Sequence, residues 1–200
     1  LMVQTIFADY ARLFPQRFHN VTNGVTPRRW LMQANPGLSR LLDARIGTGW
    51  RRDLAGLAAL RALAGDAALQ AEFLAVKRQN KERLAVRIHR DLGLMLDPAS
   101  LFDVQTKRIH EYKRQLLNVL HVVARYQAML DNPQADWVPR TVVIAGKAAS
   151  SYQQAKLIIE LAHGVARVIN HDPRVAGRLK LVFMPNYGVS LAELIMPAAD

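Results

Sequence analysis

Basic side chains crowd one short stretch of the chain, residues 107–114. Alternating apolar residues at 101–104 precede this stretch and predict a strand, and an amphipathic pattern after it predicts a helix. Five basic residues stand against one acid, Glu111: Lys107, Arg108, His110, Lys113 and Arg114. The permanent charges among them repel one another unless an anion offsets them, and a helix N-terminus itself favours an anion. The stretch therefore predicts a phosphate-binding site.

The elements that must position this stretch alternate regularly after residue 100. Strands are predicted at 101–105, 141–146 and 179–184, and helices at 110–131, 151–169 and 190–196. Nearly continuous apolar runs in the second and third strands are typical of a parallel sheet that is covered on both faces. The sequence therefore predicts an α/β fold, part of a doubly wound, Rossmann-like parallel sheet with a helical lead-in.

Three polar segments converge on one edge of this sheet. The cluster that begins at Lys107, the pair Gly146-Lys147 and the pair Asn186-Tyr187 each follow one of the predicted strands. Doubly wound sheets bind their ligands beyond the carboxyl ends of the strands. We therefore expect the site at this edge, with the aromatic residues Tyr112 and Tyr187 as candidate ligand contacts.

The lead-in is predicted to be helical. A first helix is expected at 2–14, and a second begins at Thr26 as N-cap and Pro27. Arg28 and Arg29 in its first turn oppose the helix dipole, so the sequence offers no local structural reason for them. The longest helix is expected from Asp66 to Leu92, before Gly93. Its basic residues are expected to form a solvated face: Lys77, Arg78, Lys81, Arg87 and Arg90.

The net charge of the sequence indicates a negatively charged partner but does not identify it. The 200 residues include 27 basic and 16 acidic side chains, which gives a formal charge of +11. Nucleic acid, an anionic membrane and phosphorylated small molecules all remain open as partners. The absence of cysteine excludes disulfides and thiolate chemistry, and no apolar run is long enough to span a bilayer. The abrupt ends of the sequence suggest a piece of a longer protein.

Several short motifs suggest chemistry but lack their required partners. Gly146-Lys147 lacks the remaining residues of a P-loop, Gly47-Thr48-Gly49 lacks a preceding strand, and the histidines show no metal-ligand spacing. Gly188-Val189-Ser190 resembles a nucleophile elbow, but Ser190 lies too far beyond its strand. Glu193, three residues after Ser190, instead predicts a capping box. We therefore predict no metal site and no nucleoside triphosphatase.

Longer segments resemble the glycogen, starch and maltodextrin phosphorylases. The resemblance runs in register along the whole chain and is carried by residues 18–30 (FHNVTNGVTPRRW), 101–105 (LFDVQ), 107–115 (KRIHEYKRQ), 170–173 (NHDP) and 186–200. It implies a glycosyltransferase-B type fold and phosphorolysis of α-1,4-glucan by inorganic phosphate, with glucose 1-phosphate as product. It also implies pyridoxal phosphate as cofactor, whose phosphate takes part in proton transfer with the substrate phosphate.

The resemblance also implies a role for each matching site residue. Arg108 should bind the substrate phosphate, and Lys107 should lie beside both phosphates. Lys113 should hold the cofactor phosphate. The sugar should be bound by Tyr112 at its 2-hydroxyl and by Asn23 at its 6-hydroxyl. The cofactor pocket should be lined by Trp30 and Tyr187.

Two departures from the family pattern affect this assignment. Ser150-Ser151 stand where the family usually has Pro-Gly, so the loop there is expected to differ. Gly188 stands where some members have arginine, which removes one cation near the cofactor phosphate. The resemblance further implies that the Schiff-base lysine lies beyond Asp200, so none of these lysines is assigned to that role.

The resemblance places this chain around the start of a C-terminal domain. Residues 1–24 correspond to the end of an N-terminal domain and an interdomain segment, and residues 25–200 to the first part of the cofactor- and phosphate-binding domain. The parent is implied to be a cytoplasmic, allosteric homodimer that uses neither nucleic acid nor membrane, and these 200 residues alone are expected to be inactive. Alternatives are a nucleotide-sugar glycosyltransferase on the same fold, a basic nucleic-acid-binding module and a Ser190 hydrolase.

Overall fold

A parallel three-stranded sheet forms the centre of the molecule. The computed structural model describes residues 1–21 and 24–200. The strands β1 (Leu101–Thr106), β2 (Arg140–Ala145) and β3 (Leu179–Met184) pair in the order β1-β2-β3. Their register aligns Thr106 with Ala145 and Ala145 with Met184, so the three carboxyl ends are level at one edge. The prediction of an α/β fold with a partial parallel sheet is confirmed.

The helices divide into a lead-in and a set that alternates with the strands. The lead-in contains α1 (Ala8–Leu13), α2 (Pro36–Ile46) and α3 (Ala67–Leu92), and the second set contains α4 (Gln115–Asp131), α5 (Gln153–Ile169) and α6 (Val189–Ala198). The π-helix is Arg28–Gln33, and 3-10 segments occur at Met2–Gln4, Pro15–Arg17, Gly49–Arg51, Leu54–Leu63, Glu111–Lys113 and Pro173–Val175. In the part of the chain that the structure describes, no helix is long and apolar enough to cross a membrane.

Helices cover both faces of the sheet, and β2 and β3 are buried along nearly their whole length, which explains their continuous apolar runs; β1 is mostly half-buried. Val142 and Ile144 pack into a core with α4 and α5. The alternate residues Val143 and Ala145 pack into a second core with α3 and α6. Because side chains alternate along a strand, one apolar run supplies both cores.

In the lead-in, the predicted bounds of the longest helix are confirmed and those of the first helix are not. The Asn35 side chain accepts a hydrogen bond from the Leu38 amide at 3.3 Å, and the Asp66 carboxylate accepts from the first amides of α3. The longest helix ends at Gly93, whose φ of 68° needs glycine. The helix predicted at 2–14 is wrong, because only α1 and one 3-10 turn form there and no residue of either is buried. The predicted start of the second helix is confirmed, since Pro27 is its first helical residue and the Trp30 amide donates to the Thr26 carbonyl at 3.1 Å. The π-helix Arg28–Gln33 follows directly.

The basic face of α3 is not uniformly solvated, so that prediction is also wrong. The Lys81 ammonium donates to the carbonyl of Ser100 at 3.0 Å and pairs with the Asp200 carboxylate at 2.5 Å. The Lys77 ammonium donates to the carbonyls of Pro197 and Ala199. Burial is the main cause that lowers the pKa of Lys77. These lysines therefore join α3 to the end of α6.

Candidate functional site

The cationic stretch forms a loop between β1 and α4. His110 is extended, one 3-10 turn follows at Glu111–Lys113, and Arg114 adopts a left-handed conformation with φ of 64°. This conformation ends the turn before α4 begins at Gln115. The prediction that helix 110–131 begins among the cations is therefore wrong at its N-terminal end. The cations lie at the carboxyl end of β1, ahead of the helix.

The loop continues the pairing of β1 with β2 beyond both strands. The Lys107 amide donates to the Ala145 carbonyl at 3.1 Å, and the Ile109 amide donates to the Lys147 carbonyl at 3.1 Å. Gly146 allows this close approach, since a Cβ at Gly146 would lie 1.9 Å from the Lys107 carbonyl oxygen. The glycine of the Gly146-Lys147 pair therefore packs two backbones together.

Alternation along this extended segment separates its side chains. Ile109 is buried in the core with α4 and α5, whereas Phe102 and Val104 pack on the side of α3 and α6. Residues 102, 104 and 108 are an even number of positions apart along the extended chain, so their side chains lie on the same face of the sheet. The Arg108 side chain is therefore on the face that α6 covers. Lys107, with the alternation of Ile109, belongs to the opposite side.

A cavity of about 310 Å³ opens where Arg108 meets the start of α6. It is lined by two aromatic residues, two cations and the first turn of α6: Trp30, Tyr187, Arg108, Lys147, Gly188, Val189 and Ala192. Polar segments from all three strand ends thus reach one edge, as predicted. Trp30 and Tyr187 also line a larger, mainly apolar cavity of about 540 Å³.

Side-chain amides, among them the buried Gln115, hold the backbone of the loop. Gln115 is only 1% exposed, and its Nε2 donates to the Arg108 carbonyl at 3.1 Å while its Oε1 accepts from the His110 amide at 3.3 Å. Gln105 Nε2 donates to the Lys113 carbonyl at 3.1 Å, and Asn118 Nδ2 donates to Gln105 Oε1 at 2.9 Å. The sequence interpretation missed these residues. An uncharged polar residue on the apolar side of a predicted helix was the available signal.

Aromatic residues pack along the outer part of the loop. The His110 ring centroid lies 4.3 Å from that of Tyr112 and 4.9 Å from that of Tyr152. The Tyr152 hydroxyl donates to the Glu111 carboxylate, and this hydrogen bond is the main cause that raises the pKa of Tyr152. Glu111, the one acid of the stretch, therefore accepts from Tyr152 and, in the described part of the chain, forms no ion pair with a neighbouring cation.

The cations of this edge have no acidic partner among the residues that the structure describes. Among the described residues, no carboxylate forms an ion pair with the side chain of Lys107, Arg108, Lys113 or Lys147. Lys113 instead lies over the Tyr112 ring, with its Nζ 5.6 Å from the centroid. The edge therefore carries a concentration of positive charge that an anion would offset.

The structure gives Arg29 and Glu193 different roles from those that the sequence indicated. Arg29 Nε donates to Glu193 Oε1 at 2.6 Å, which joins the π-helix to α6. This ion pair supplies the structural reason for Arg29 that was not evident locally. The predicted capping box is wrong, because Gly188 is the N-cap of α6 and Ser190 lies inside the helix.

The predicted site residues fall into two groups. Trp30, Arg108 and Tyr187 line the cavity together. Lys107, Tyr112 and Lys113 lie in the loop and are not part of the cavity wall. Asn23 lies outside the described residues.

This fold and this edge are those of an α/β protein with a cationic, aromatic-walled cavity suited to a phosphorylated ligand. A sequence model of the family described as carbohydrate phosphorylase matches residues 1–200. Similar proteins include the glycogen phosphorylases of Pasteurella multocida, 60% identical over 200 residues, and Haemophilus influenzae, 58% identical over 200 residues. The brain form of glycogen phosphorylase from Bos taurus is 49% identical over 197 residues.

The matches cover nearly all of this chain but a minor part of each relative. They span 100% of the chain for the two bacterial proteins and 98% for the bovine protein. They span 24% of each bacterial relative and 23% of the bovine one. The chain belongs to the carbohydrate phosphorylase family.

Proposed function

We propose that these residues are part of an α-1,4-glucan phosphorylase. The complete protein transfers a terminal glucose of glycogen or maltodextrin to inorganic phosphate and releases glucose 1-phosphate with retained configuration. The observation that carries the proposal is the cavity at the sheet edge, where Arg108 lies beside Trp30 and Tyr187 and no protein carboxylate pairs with it in the described part of the chain. The family relationship supports the same reaction.

In this proposal Arg108 binds the substrate phosphate. A guanidinium presents a planar fork of N–H groups that matches two phosphate oxygens, and it stays charged at any physiological pH. The buried side chain of Gln115 holds the Arg108 carbonyl, which fixes the backbone from which the guanidinium extends. Tyr112 binds the glucose 2-hydroxyl, and Asn23 binds the 6-hydroxyl.

The lining of the cavity fits pyridoxal phosphate. Trp30 and Tyr187 offer aromatic surface for a planar ring, and the nearby cations offer charge for its phosphate. Lys107 and Lys113 are assigned to the cofactor phosphate, and Lys107 also to the substrate phosphate; because both residues lie in the loop outside the cavity wall, these assignments rest on the family relationship. When bound, the cofactor supplies a second phosphate that exchanges a proton with the substrate phosphate. No lysine of this chain is assigned to the Schiff base.

The residues of the chain also favour the reaction electrostatically. Positive side chains near two phosphates stabilise their ionised forms and so lower their pKa values. The same fixed charges stabilise the phosphate that lies beside the developing positive charge of the sugar in an oxocarbenium-like transition state. The loop holds these charges in place through hydrogen bonds to Gln105 and Gln115, so little reorganisation is needed.

The test is phosphorolysis by the complete protein that carries these residues. Glycogen and inorganic phosphate should give glucose 1-phosphate, measured by ³¹P NMR, and removal of pyridoxal phosphate should abolish the product until the cofactor is restored. Glucose transfer from a nucleotide sugar without phosphorolysis would contradict the proposal and favour the glycosyltransferase alternative. The 200-residue chain alone is expected to show no turnover.

The remaining assignments concern the complete protein. We propose that it is a cytoplasmic homodimer under allosteric control, which uses neither nucleic acid nor a membrane. Sedimentation equilibrium tests the dimer, and the response of the phosphate saturation curve to candidate effectors tests the control.

A further inference from the structure

Arg108 and Lys147 are neighbours across the extended β1-β2 pair. The register aligns Thr106 with Ala145, and the hydrogen bond from the Ile109 amide to the Lys147 carbonyl shows that the pairing continues for two more residues. Arg108 therefore stands opposite Lys147. Adjacent strands lie about 4.8 Å apart, so the two Cα atoms are close.

The two side chains also belong to the same side of the sheet. Val143 and Ala145 pack with α3 and α6, and Lys147 is the next residue in that alternation. Arg108 follows Phe102 and Val104 on the same side. Both cations line the same cavity, which agrees with this assignment.

Two like charges at adjacent strand positions are destabilising unless something offsets them. Within the described ranges, neither Arg108 nor Lys147 makes an ion pair or a side-chain hydrogen bond with the protein. None of the described residues that line the cavity is acidic. The pair therefore suits a ligand that carries two negative charges and several acceptor oxygens.

We propose that Lys147 is a second phosphate-binding residue of this cavity, which donates from its ammonium group to the same phosphate that Arg108 binds. This rests on the proposed function, whose assignments place phosphate at Arg108. Arg108 and Lys147 contribute differently to phosphate binding because their charged groups differ in shape. The Arg108 fork fixes the orientation of the phosphate, and Lys147 adds a compact charge at another of its oxygens.

The test is the affinity of the complete protein for inorganic phosphate, measured by isothermal titration calorimetry. Lys147→Ala should raise the Kd by about tenfold or more, the effect of losing one hydrogen bond between charged groups. Lys147→Arg should retain most of the affinity. The control is Lys156→Ala, since Lys156 is an exposed lysine of α5 that follows the same loop and lies outside this cavity. An unchanged Kd in Lys147→Ala, or an equal rise in Lys156→Ala, overturns the proposal.

A second experiment moves the positive charge from position 147 to position 188 of the same cavity wall. A Cβ at Gly188 would meet only the Asn186 carbonyl oxygen, at 3.8 Å, and the φ of −153° is accessible to any residue. Arginine therefore fits at position 188 in the same cavity wall. Lys147→Ala combined with Gly188→Arg should recover phosphate affinity relative to Lys147→Ala. Affinity no better than that of the single variant overturns the requirement for a second cation.

The outcomes separate this proposal from the proposed function. If the wild-type protein forms no glucose 1-phosphate but Lys147→Ala still weakens phosphate binding, the reaction assignment fails and Lys147 keeps its role. If the wild type is active, Lys147→Ala should raise the KM for phosphate more than the KM for glucan. Equal changes in the two KM values, with an unchanged phosphate Kd, overturn the role of Lys147 alone.

Discussion

Two groups of basic residues in this chain have opposite surroundings. Lys77 and Lys81 on α3 are held by backbone carbonyls and by the Asp200 carboxylate, and Lys81 is 7% exposed. Arg108 and Lys147 at the sheet edge are exposed and, in the described part of the chain, have no acidic partner. The first group connects elements of the fold. The second group, Arg108 and Lys147, is available to bind an anion from outside the protein.

The contrast shows that the number of cations does not locate a binding site. Both groups contribute equally to the formal charge of +11. What distinguishes them is whether the folded protein itself satisfies each charge, because a buried cation without a partner would be costly. The following predictions test that distinction, beginning with the largest expected effect.

Arg108→Ala should lower kcat/KM for phosphate by about 10³-fold, which corresponds to about 4 kcal/mol. The reason is that the variant lacks the guanidinium that binds and stabilises the negatively charged substrate phosphate. The free energy of unfolding should hardly change, since the guanidinium has no partner among the described residues. Phosphate-dependent glucose 1-phosphate formation is the measurement. Arg61→Ala, an exposed arginine far along the lead-in, serves as the control. A loss of stability with retained activity would reverse the distinction between the two groups.

Gly146→Ala should destabilise the protein by about 3 kcal/mol, because the new Cβ collides with a backbone carbonyl that cannot move without separating the ends of β1 and β2. Urea unfolding measures the change. The matched control is Gly164→Ala in the interior of α5, where a Cβ meets nothing within 4 Å. It should stabilise by about 0.5 to 1 kcal/mol. Equal effects in the two variants would contradict the close packing at Gly146.

Lys81→Met should destabilise the protein by about 2 kcal/mol, since it leaves the Ser100 carbonyl without its donor and the Asp200 carboxylate without its counter-charge. The Phe102 amide still donates to Asp200 at 2.8 Å, so the loss is partial. The phosphate Kd should not change, because Lys81 belongs to the group that the protein satisfies. Arg78→Met is the control, and its exposed pair with Glu82 is worth only about 0.5 kcal/mol. A weaker phosphate affinity in Lys81→Met would break the comparison.

Arg174 is a further basic residue whose charge the protein itself satisfies, and its partner Asp172 makes that pairing dependent on pH. Hydrogen bonds from Arg174 and then from the Tyr126 hydroxyl hold the pKa of Asp172 well below its ordinary value. A lowered pKa in the folded state adds stability above the pKa of the unfolded state, about 4, and this contribution is lost as the pH falls further. Asp172→Asn should therefore be less stable than wild type at pH 7. The difference should shrink below about pH 4, as thermal unfolding across this range would show. A difference independent of pH would contradict the assignment.

The sequence predicts the parts of this fold that depend on local pattern. The strand predicted at 179–184 matches β3, and the end of the longest helix before Gly93 is found as predicted. Apolar alternation and a glycine that tolerates positive φ are local signals. The convergence of three polar segments on one edge followed from parallel topology alone.

The remainder depends on contacts between distant residues. Lys81 and Arg78 are indistinguishable on a helical pattern, because only the fold brings Asp200 and Ser100 to Lys81. Glu193 fits a capping box locally, yet Arg29, far away in the sequence, binds it. The α4 boundary was misplaced because Arg114 takes a left-handed conformation that arginine seldom adopts.

The most direct test of this account is a crystal structure of the complete protein with inorganic phosphate bound. We expect a phosphate in the cavity beside Trp30 and Tyr187, with its oxygens within about 3.2 Å of the Arg108 guanidinium. Arg108 extended into open solvent, with phosphate bound on α3 or absent from the sheet edge, would contradict the account.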